Sequence, residues 1–419
     1  MKKIERTTYL EQLISARGDG NIKVISGLRR CGKSYLLKNI FKDWLTGQGI
    51  PADHILLYDL ENRRNKHLLD PDVLLDTIEG RMTDDEVYYI LIDEVQKVKD
   101  FTEVLQSLLL HDNAEIYVTG SNSKFLSKDI VTEFRGRNSE IHIYPLSFAE
   151  FLTAYEGPEN EAFLQYIYYG GLPQILSQEG HAKKAAFLSR IYRTVYLKDI
   201  FERHSIDYPD EFEELVKIIA SSIGAPVNPN KLANTFKSKK NLQAITDKTI
   251  SNYLSYIEDA FLVEEAERFD IKGKNYIDSL SKYYFQDPGI RNAILSFRQI
   301  EETHLMENAI YNELRVRGFS VDVGVVPVRI LDENGKQVRY SYEVDFVANK
   351  GSQRYYIQSA WKLPNKEKEE QESRPFRSIS DSFKKIIVTG DKVLLKRDEN
   401  GIVTIPVEQF LKDPDSLDL

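Results

Sequence analysis

A lysine, a serine and two adjacent carboxylates stand at spacings suited to phosphate chemistry. The pattern Gly-x-x-x-x-Gly-Lys-Ser runs through Gly27, Leu28, Arg29, Arg30, Cys31, Gly32, Lys33 and Ser34 and leads into Tyr35. A loop of this kind wraps a polyphosphate with main-chain N–H groups, and its glycines allow the close approach. Residues Gly27 to Tyr35 are therefore the expected nucleotide-binding set, with Lys33 reaching the β- and γ-phosphates and the Ser34 hydroxyl on Mg²⁺. Further along, the apolar run Tyr88-Tyr-Ile-Leu-Ile ends in Asp93-Glu94. Asp93 is suited to hold Mg²⁺, and Glu94 to orient and deprotonate an attacking water. ATP and Mg²⁺ are the cofactors this pairing requires.

Two further stretches are candidates for the same chemistry. Thr119, Ser121 and Asn122 end an apolar strand pattern, where a polar side chain can hold the water opposite Glu94. Gly-Ser-Asn also makes turns, so turn chemistry is the competing explanation. Asn122 is taken as the catalytic candidate, although Ser121 fits as well. Phe134-Arg135-Gly136-Arg137 is basic, and an arginine there is placed to reach a γ-phosphate in its own subunit or in a neighbour's. Pairing with Glu133 or Glu140 is the plainer alternative. Cys31 lies in the loop next to a helix N-terminus, which lowers thiol pKa, yet an inert filler explains it better.

The elements that must position these groups follow from hydrophobic periodicity. Residues 1–17 read as a helix ended by Gly18. Strands are expected at 22–25, 54–59, 88–93, 116–122 and 141–145, with helices after the glycine-rich loop, at 71–78 and at 101–110. Strands alternating with helices imply an α/β fold with a parallel sheet covered on both faces. At 419 residues, with 42% hydrophobic and 29% charged residues, the chain is long enough for about three globular domains. The net charge of −9 argues against wholesale wrapping of nucleic acid, while leaving room for a local basic surface. No apolar run approaches the roughly 20 residues of a membrane span, and the N-terminus has no signal-peptide core. A single cysteine excludes an intrachain disulfide, so a cytoplasmic setting without membrane attachment is expected.

Taken in order, Gly-Leu-Arg-Arg-Cys-Gly-Lys-Ser, Ile-Leu-Ile-Asp-Glu-Val-Gln, Val-Thr-Gly-Ser-Asn-Ser and Ile-Tyr-Pro-Leu-Ser-Phe-Ala-Glu-Phe resemble the AAA-type P-loop ATPases of bacteria and archaea that carry a C-terminal domain of unknown function. Tyr169-Gly-Gly-Leu-Pro173, Tyr196-Leu-Lys-Asp-Ile200 and Tyr342-Glu-Val-Asp-Phe346 continue the likeness over nearly the whole chain. The resemblance implies an ATPase core at 1–150, a helical lid at 151–206, a winged helix-turn-helix at 207–300 and a restriction-endonuclease-like α+β domain at 301–419. It also places the family's arginine at Arg137 rather than Arg135.

The residues of the last two regions give that outline some chemistry. Two strands, 265–271 and 282–285, flank Lys272-Gly273-Lys274, and three helices with this hairpin make a winged helix. Lys237, Lys239, Lys240, Lys248, Lys272 and Lys274 are placed to neutralise DNA phosphates. Glu258 and Asp259 oppose that reading, and winged helices also pack against proteins. In the last region, Glu307, Asp345 and Gln358 follow the order of a PD-(D/E)xK nuclease core. The lysine position two residues on is Ala360, and Lys362 is no assured replacement. A metal nuclease needs carboxylates around the metal and a lysine near the attacking water. A degenerate, non-cutting site is therefore expected. The reading of the whole is an Mg²⁺-dependent ATPase acting as a nucleotide-driven switch, with DNA, a protein partner or a second copy of the chain as candidate partners. The rivals are an ATP-gated nuclease and a slow-turnover ATP-binding scaffold.

Overall fold

The computed structural model describes residues 2–120, 137–240, 245–277, 280–331 and 337–419. The chain divides into two compact units, one of residues 1–145 with 259–261, the other of 146–258 with 262–419.

The first unit is built on a five-stranded sheet. Helix α1 (Thr7–Ser15) precedes β1 (Ile22–Gly27). The glycine-rich loop then leads into a helical run, here α2, composed of Lys33–Tyr35, a wider π-helical stretch Leu36–Phe41, and Lys42–Gly47. β2 (Ile55–Asp59), α3 (Pro71–Glu79), β3 (Tyr88–Asp93), α4 (Phe101–Leu108), β4 (Ala114–Thr119) and β5 (Asn138–Ile143) follow. The strand order is β2-β3-β4-β1-β5, and every pairing is parallel. All six residues of β1 and of β3 are buried, as a strand covered on both faces requires. Alternate strand residues, among them Val24, Leu56, Ile90, Ile92 and Val118, pack with Leu74 and Ile78 of α3 and Leu105 and Leu108 of α4. The start of α3 is set locally: Pro71 occupies the first turn, and the Asp70 carboxylate accepts from the Asp72 and Val73 amides.

In the second unit, α5 (Phe148–Ala154) starts with a capping box formed by Ser147 and Glu150. It is followed by α6 (Glu159–Tyr169) and α7 (Gly180–Ile191), the latter continuing through a π-helical turn into Lys198–Arg203. Next come α8 (Pro209–Ser221), α9 (Pro229–Lys240), α10 (Asp247–Asp259), β6 (Val263–Ala266), β7 (Arg268–Asp270), β8 (Asn275–Tyr276), β9 (Lys282–Phe285) and α11 (Pro288–Ile294). The C-terminal part adds α12 (Glu302–Val316), β10 (Ser320–Leu331), β11 (Gln337–Lys350), β12 (Gln353–Ala360), α13 (Lys366–Arg377), β13 (Lys384–Thr389), β14 (Lys396–Arg397), β15 (Val403–Pro406) and α14 (Val407–Lys412).

Two features hold this second unit together. The first is α11, buried along its whole length. Its capping residue Asp287 accepts from the Ile290 amide at 2.9 Å and from Gly171 at 2.8 Å, while Asn292 donates to the Ile167 and Tyr168 carbonyls at 3.2 and 3.0 Å. Arg291 reaches the Ala220 carbonyl of α8 at 2.7 Å. A Cβ on Gly170 would lie 2.1 Å from Asp287 Oδ1, which accounts for glycine there. The second is an eight-stranded sheet, β14-β15-β13-β12-β11-β10-β7-β8, in which β7 pairs in parallel with β10. The single strand expected at 265–271 is therefore two. β6 pairs with β9, and β7 turns aside at Glu267, whose carbonyl accepts from the Val323 amide at 2.8 Å.

Candidate functional site

Parallel strands deliver their C-terminal ends to one edge of the first sheet, the usual place for a ligand in such folds. Gly27, Asp59, Asp93 and Thr119 all end strands there. The glycine-rich loop leaves β1 at Gly27, where φ is 132° and a Cβ would lie 2.1 Å from the Ile143 carbonyl oxygen. Only glycine fits such a contact. Gly32 (φ 112°) and Arg30 (φ 67°) complete the bend. The loop is anchored beneath by Arg6, whose guanidinium donates to the Cys31 carbonyl at 2.9 Å and to the Tyr144 carbonyl at 2.6 Å. Cys31 itself is buried, its thiol directed at the Ile143 carbonyl at 3.3 Å. It is a loop anchor rather than an exposed redox thiol.

Lys33 is buried, and its ammonium donates to the Gly27 and Leu28 carbonyls at 2.7 and 3.0 Å. Both acceptors are neutral. Asp93 is fully buried and accepts from the Thr119 hydroxyl at 2.6 Å, and the same hydroxyl accepts from the Glu94 amide at 2.9 Å. One threonine thus fixes both carboxylate residues. Glu94 sits in the left-handed region at φ 60°, and its carboxylate accepts from Gln96 at 2.5 Å. That turn at the strand end lets neighbours that would otherwise face opposite sides serve one place. Lys38, from the π-helical stretch, lies 2.9 Å from both Asp59 and Asp93. Burial draws its pKa down, but hydrogen bonds to the two carboxylates outweigh it, and the net shift is upward. Lys38 thus balances charge on both the buried Asp93 and Asp59.

A second centre lies in the other unit. Glu307 of α12 accepts from the Tyr284 hydroxyl at 2.7 Å and from the Lys282 ammonium at 3.3 Å. The same ammonium is 2.8 Å from Glu343. Asp345 of β11 accepts from the Ser359 amide at 2.8 Å, while its own amide donates to the Gln358 side chain at 3.4 Å. Burial, then the nearby Glu307 charge, raises the Asp345 pKa well above the usual range. Lys282 responds oppositely: burial lowers its pKa, and Glu307, Asp345 and Glu343 together more than reverse that.

Residues 19–152 match the family described as AAA domain, and residues 160–301 match a domain of unknown function. An uncharacterized protein of Haemophilus influenzae is 34% identical over 414 residues, covering 97% of this chain and 98% of that protein. The chain belongs to that protein's family. An uncharacterized protein of the archaeon Methanocaldococcus jannaschii is 31% identical over 363 residues, covering 83% of this chain and 77% of its own length. Among solved structures, a DNA polymerase III gamma subunit-related protein from Thermotoga maritima covers 60% of this chain and 99% of its own. It is 13% identical at a TM-score of 0.27, too low to bear on this chain's role. The first unit is thus an AAA domain of the P-loop, nucleotide-binding kind.

The structure brings Lys33, Ser34, Asp93, Glu94 and Thr119 to one edge of the AAA sheet. Ser121, Asn122 and Arg135 lie outside the described residues. Arg137 does not join the group. It precedes β5, and its carbonyl accepts from the Ile22 amide at 3.0 Å, at the opposite edge of the sheet. Five residues of β1 separate that edge from the loop, roughly 16 Å at about 3.3 Å per residue, beyond an arginine's reach. Within one chain, Arg137 cannot contact a phosphate held by Lys33. Of the nuclease-like set, Glu307 and Asp345 come together, while Gln358 is spent on the backbone of β11. Ala360 is buried with Val344 and Phe376 in the apolar core, and Lys362 is exposed outside the cluster. Among the wing lysines, Lys272 donates to the Pro327 carbonyl of β10 at 2.9 Å. Reading from sequence missed Lys38, Asp59 and Arg6 in the first centre and Lys282 and Glu343 in the second. Asp59, closing an apolar strand one position in the sheet from Asp93, carried the one available signal.

Proposed function

We propose that this protein is an Mg²⁺-dependent ATPase acting as a nucleotide-driven switch. The loop amides and Lys33 bind the β- and γ-phosphates, the ammonium exchanging two neutral carbonyl acceptors for charged oxygens. Ser34 and Asp93 are the residues that would hold Mg²⁺, which neutralises charge building on the phosphate oxygens. Glu94 takes the proton of the attacking water, and Thr119 keeps Glu94 and Asp93 in register. The observation that carries this reading is the Thr119 hydroxyl bridging the Asp93 carboxylate and the Glu94 amide beside the glycine-rich loop. Arg137 enters the chemistry only as a residue offered to a neighbouring copy. Phosphate release from purified protein with MgATP tests the proposal. Turnover that survives unchanged in Glu94→Gln removes Glu94 from its role.

What the switch acts on is read from the second unit. A winged-helix arrangement of α8, α9 and α10 with the β6–β9 pair supports recognition of a protein partner or DNA. With Lys272 engaged internally, DNA contact would rest on Lys237, Lys239, Lys240, Lys248 and Lys274. A shallow slope of log affinity against log salt, near one or two phosphates, would indicate that those lysines carry little of it.

A further inference from the structure

The second centre has the carboxylates of a metal site and a lysine where the metal should be. Three acidic residues from two elements, Glu307 on α12 and Glu343 and Asp345 on β11, surround the Lys282 ammonium. Lys282 comes from neither element. It lies on β9, before α11, and only 2% of it is exposed. Its position is built in from several directions. The Tyr284 hydroxyl shares Glu307 Oε1 with it, and Glu343 is further faced by Arg268 of β7 at 3.8 Å. Gly224 passes close to Glu307, since a Cβ there would stand 2.9 Å from Glu307 Oε1. Phe285, the residue after Tyr284, is held by the same helix: its amide donates to Asn308 at 2.8 Å and its carbonyl accepts from Asn308 and Asn312 at 2.7 and 3.0 Å. Among the described residues, no group of three or more His, Cys, Asp or Glu is arranged to hold a metal ion.

We propose that Lys282 is the resident cation of this centre, its ammonium standing in for a divalent metal and latching β9 to α12 and β11. The nuclease-like carboxylates are thereby kept for architecture. A cation is still required, because Glu307 is buried, while Glu343, about a third exposed, shares the same ammonium. A lysine supplies one charge without an open coordination position, so no water is activated there and no phosphodiester oxygen has a metal to bind. The nuclease metal that the resemblance implies does not fit this site, and the misfit has a named cause. Alanine at 360 and the ammonium from β9 fit one description: the position a catalytic lysine would take is apolar core, and the position a metal would take is a salt bridge.

The test pairs metal binding with stability on full-length, nucleotide-free protein. Mn²⁺ titration followed by electron paramagnetic resonance should show no difference between wild type and Asp345→Asn. A bound Mn²⁺ in wild type that disappears in Asp345→Asn overturns the proposal. Lys282→Met should lower Tm by roughly 5–10 °C, since breaking a buried pair strands a charge. Lys282→Met with Glu307→Gln should recover part of that loss, because the buried carboxylate left without its cation becomes neutral. A Lys282→Met protein as stable as wild type also overturns it. Should that variant fail to fold, the Mn²⁺ comparison of wild type with Asp345→Asn still decides.

Discussion

Each unit of this molecule buries a lysine beside carboxylates, and the two centres differ in what the ammonium touches. In the AAA unit, Lys33 rests on two backbone carbonyls, partners that cost little to leave when a phosphate arrives. In the second unit, Lys282 is bound to Glu307 and Glu343, charges that would be stranded by its departure. The first arrangement is a place kept for a ligand, and the second a place already filled. Lys38 stands between the two types. It bridges Asp59 and Asp93, but a quarter of its side chain is exposed, so solvent screens it and eases its release.

Several measurements break or sharpen that contrast. The largest effect is expected from Glu94→Gln, which should keep nucleotide affinity and lower kcat about 10²–10⁴-fold, as loss of a general base does. A steady-state phosphate assay beside a binding titration reads both. Arg6→Ala should weaken MgATP binding by about tenfold, because removing a charged donor from the Cys31 carbonyl costs about 1.5–3 kcal/mol of loop anchoring. Fluorescent-nucleotide competition measures this, and an unchanged Kd would show the loop is held without Arg6.

Asp287 gives a smaller, pH-dependent effect. Burial raises its pKa to about 6, well above the ordinary aspartate value of 3.8, although backbone amides oppose the shift. A carboxyl with a raised folded pKa contributes most below pH 3.8, where folded and unfolded forms both carry the proton. That contribution is lost as pH rises toward 6 and is constant above it, about 3 kcal/mol in all. Asp287→Asn cannot titrate, so its Tm relative to wild type should rise between pH 4 and pH 6.5. A difference that stays flat across that range means Asp287 is ionised throughout. The smallest effect is expected from Asp345→Asn on ATP turnover: less than a twofold change in kcat, as befits a centre outside the nucleotide chemistry.

How far the sequence led depends on how local each signal is. The glycine-rich loop, the Asp93-Glu94 pair and the alternation of strands and helices are contiguous patterns, and they were readable directly. Lys38 was not, because its meaning depends on a π-helical stretch and on β2 lying beside β3 in register, Asp59 opposite Asp93. The distance of Arg137 from Lys33 is hidden for the same reason: it is set by which end of β5 it precedes, a matter of strand direction. The second centre was half legible. Glu307, Asp345 and Gln358 follow a known order, but Lys282 and Glu343 join them only through the fold, and nothing near position 282 signals a cation site. Glu265 to Ile271 reads as one continuous strand, whereas the chain parts at Glu267 to pair with two sheets. The final thirty residues, with β14, β15 and α14, carried alternation too short to assign.

The central claim is that the glycine-rich loop of the AAA unit grips a triphosphate through Lys33. Calorimetric titration of MgATP into full-length protein, wild type against Lys33→Ala, tests it most directly. The account predicts a saturable heat at one site per chain in wild type and none in Lys33→Ala. No heat in folded wild-type protein, or equal binding in the two, would contradict it.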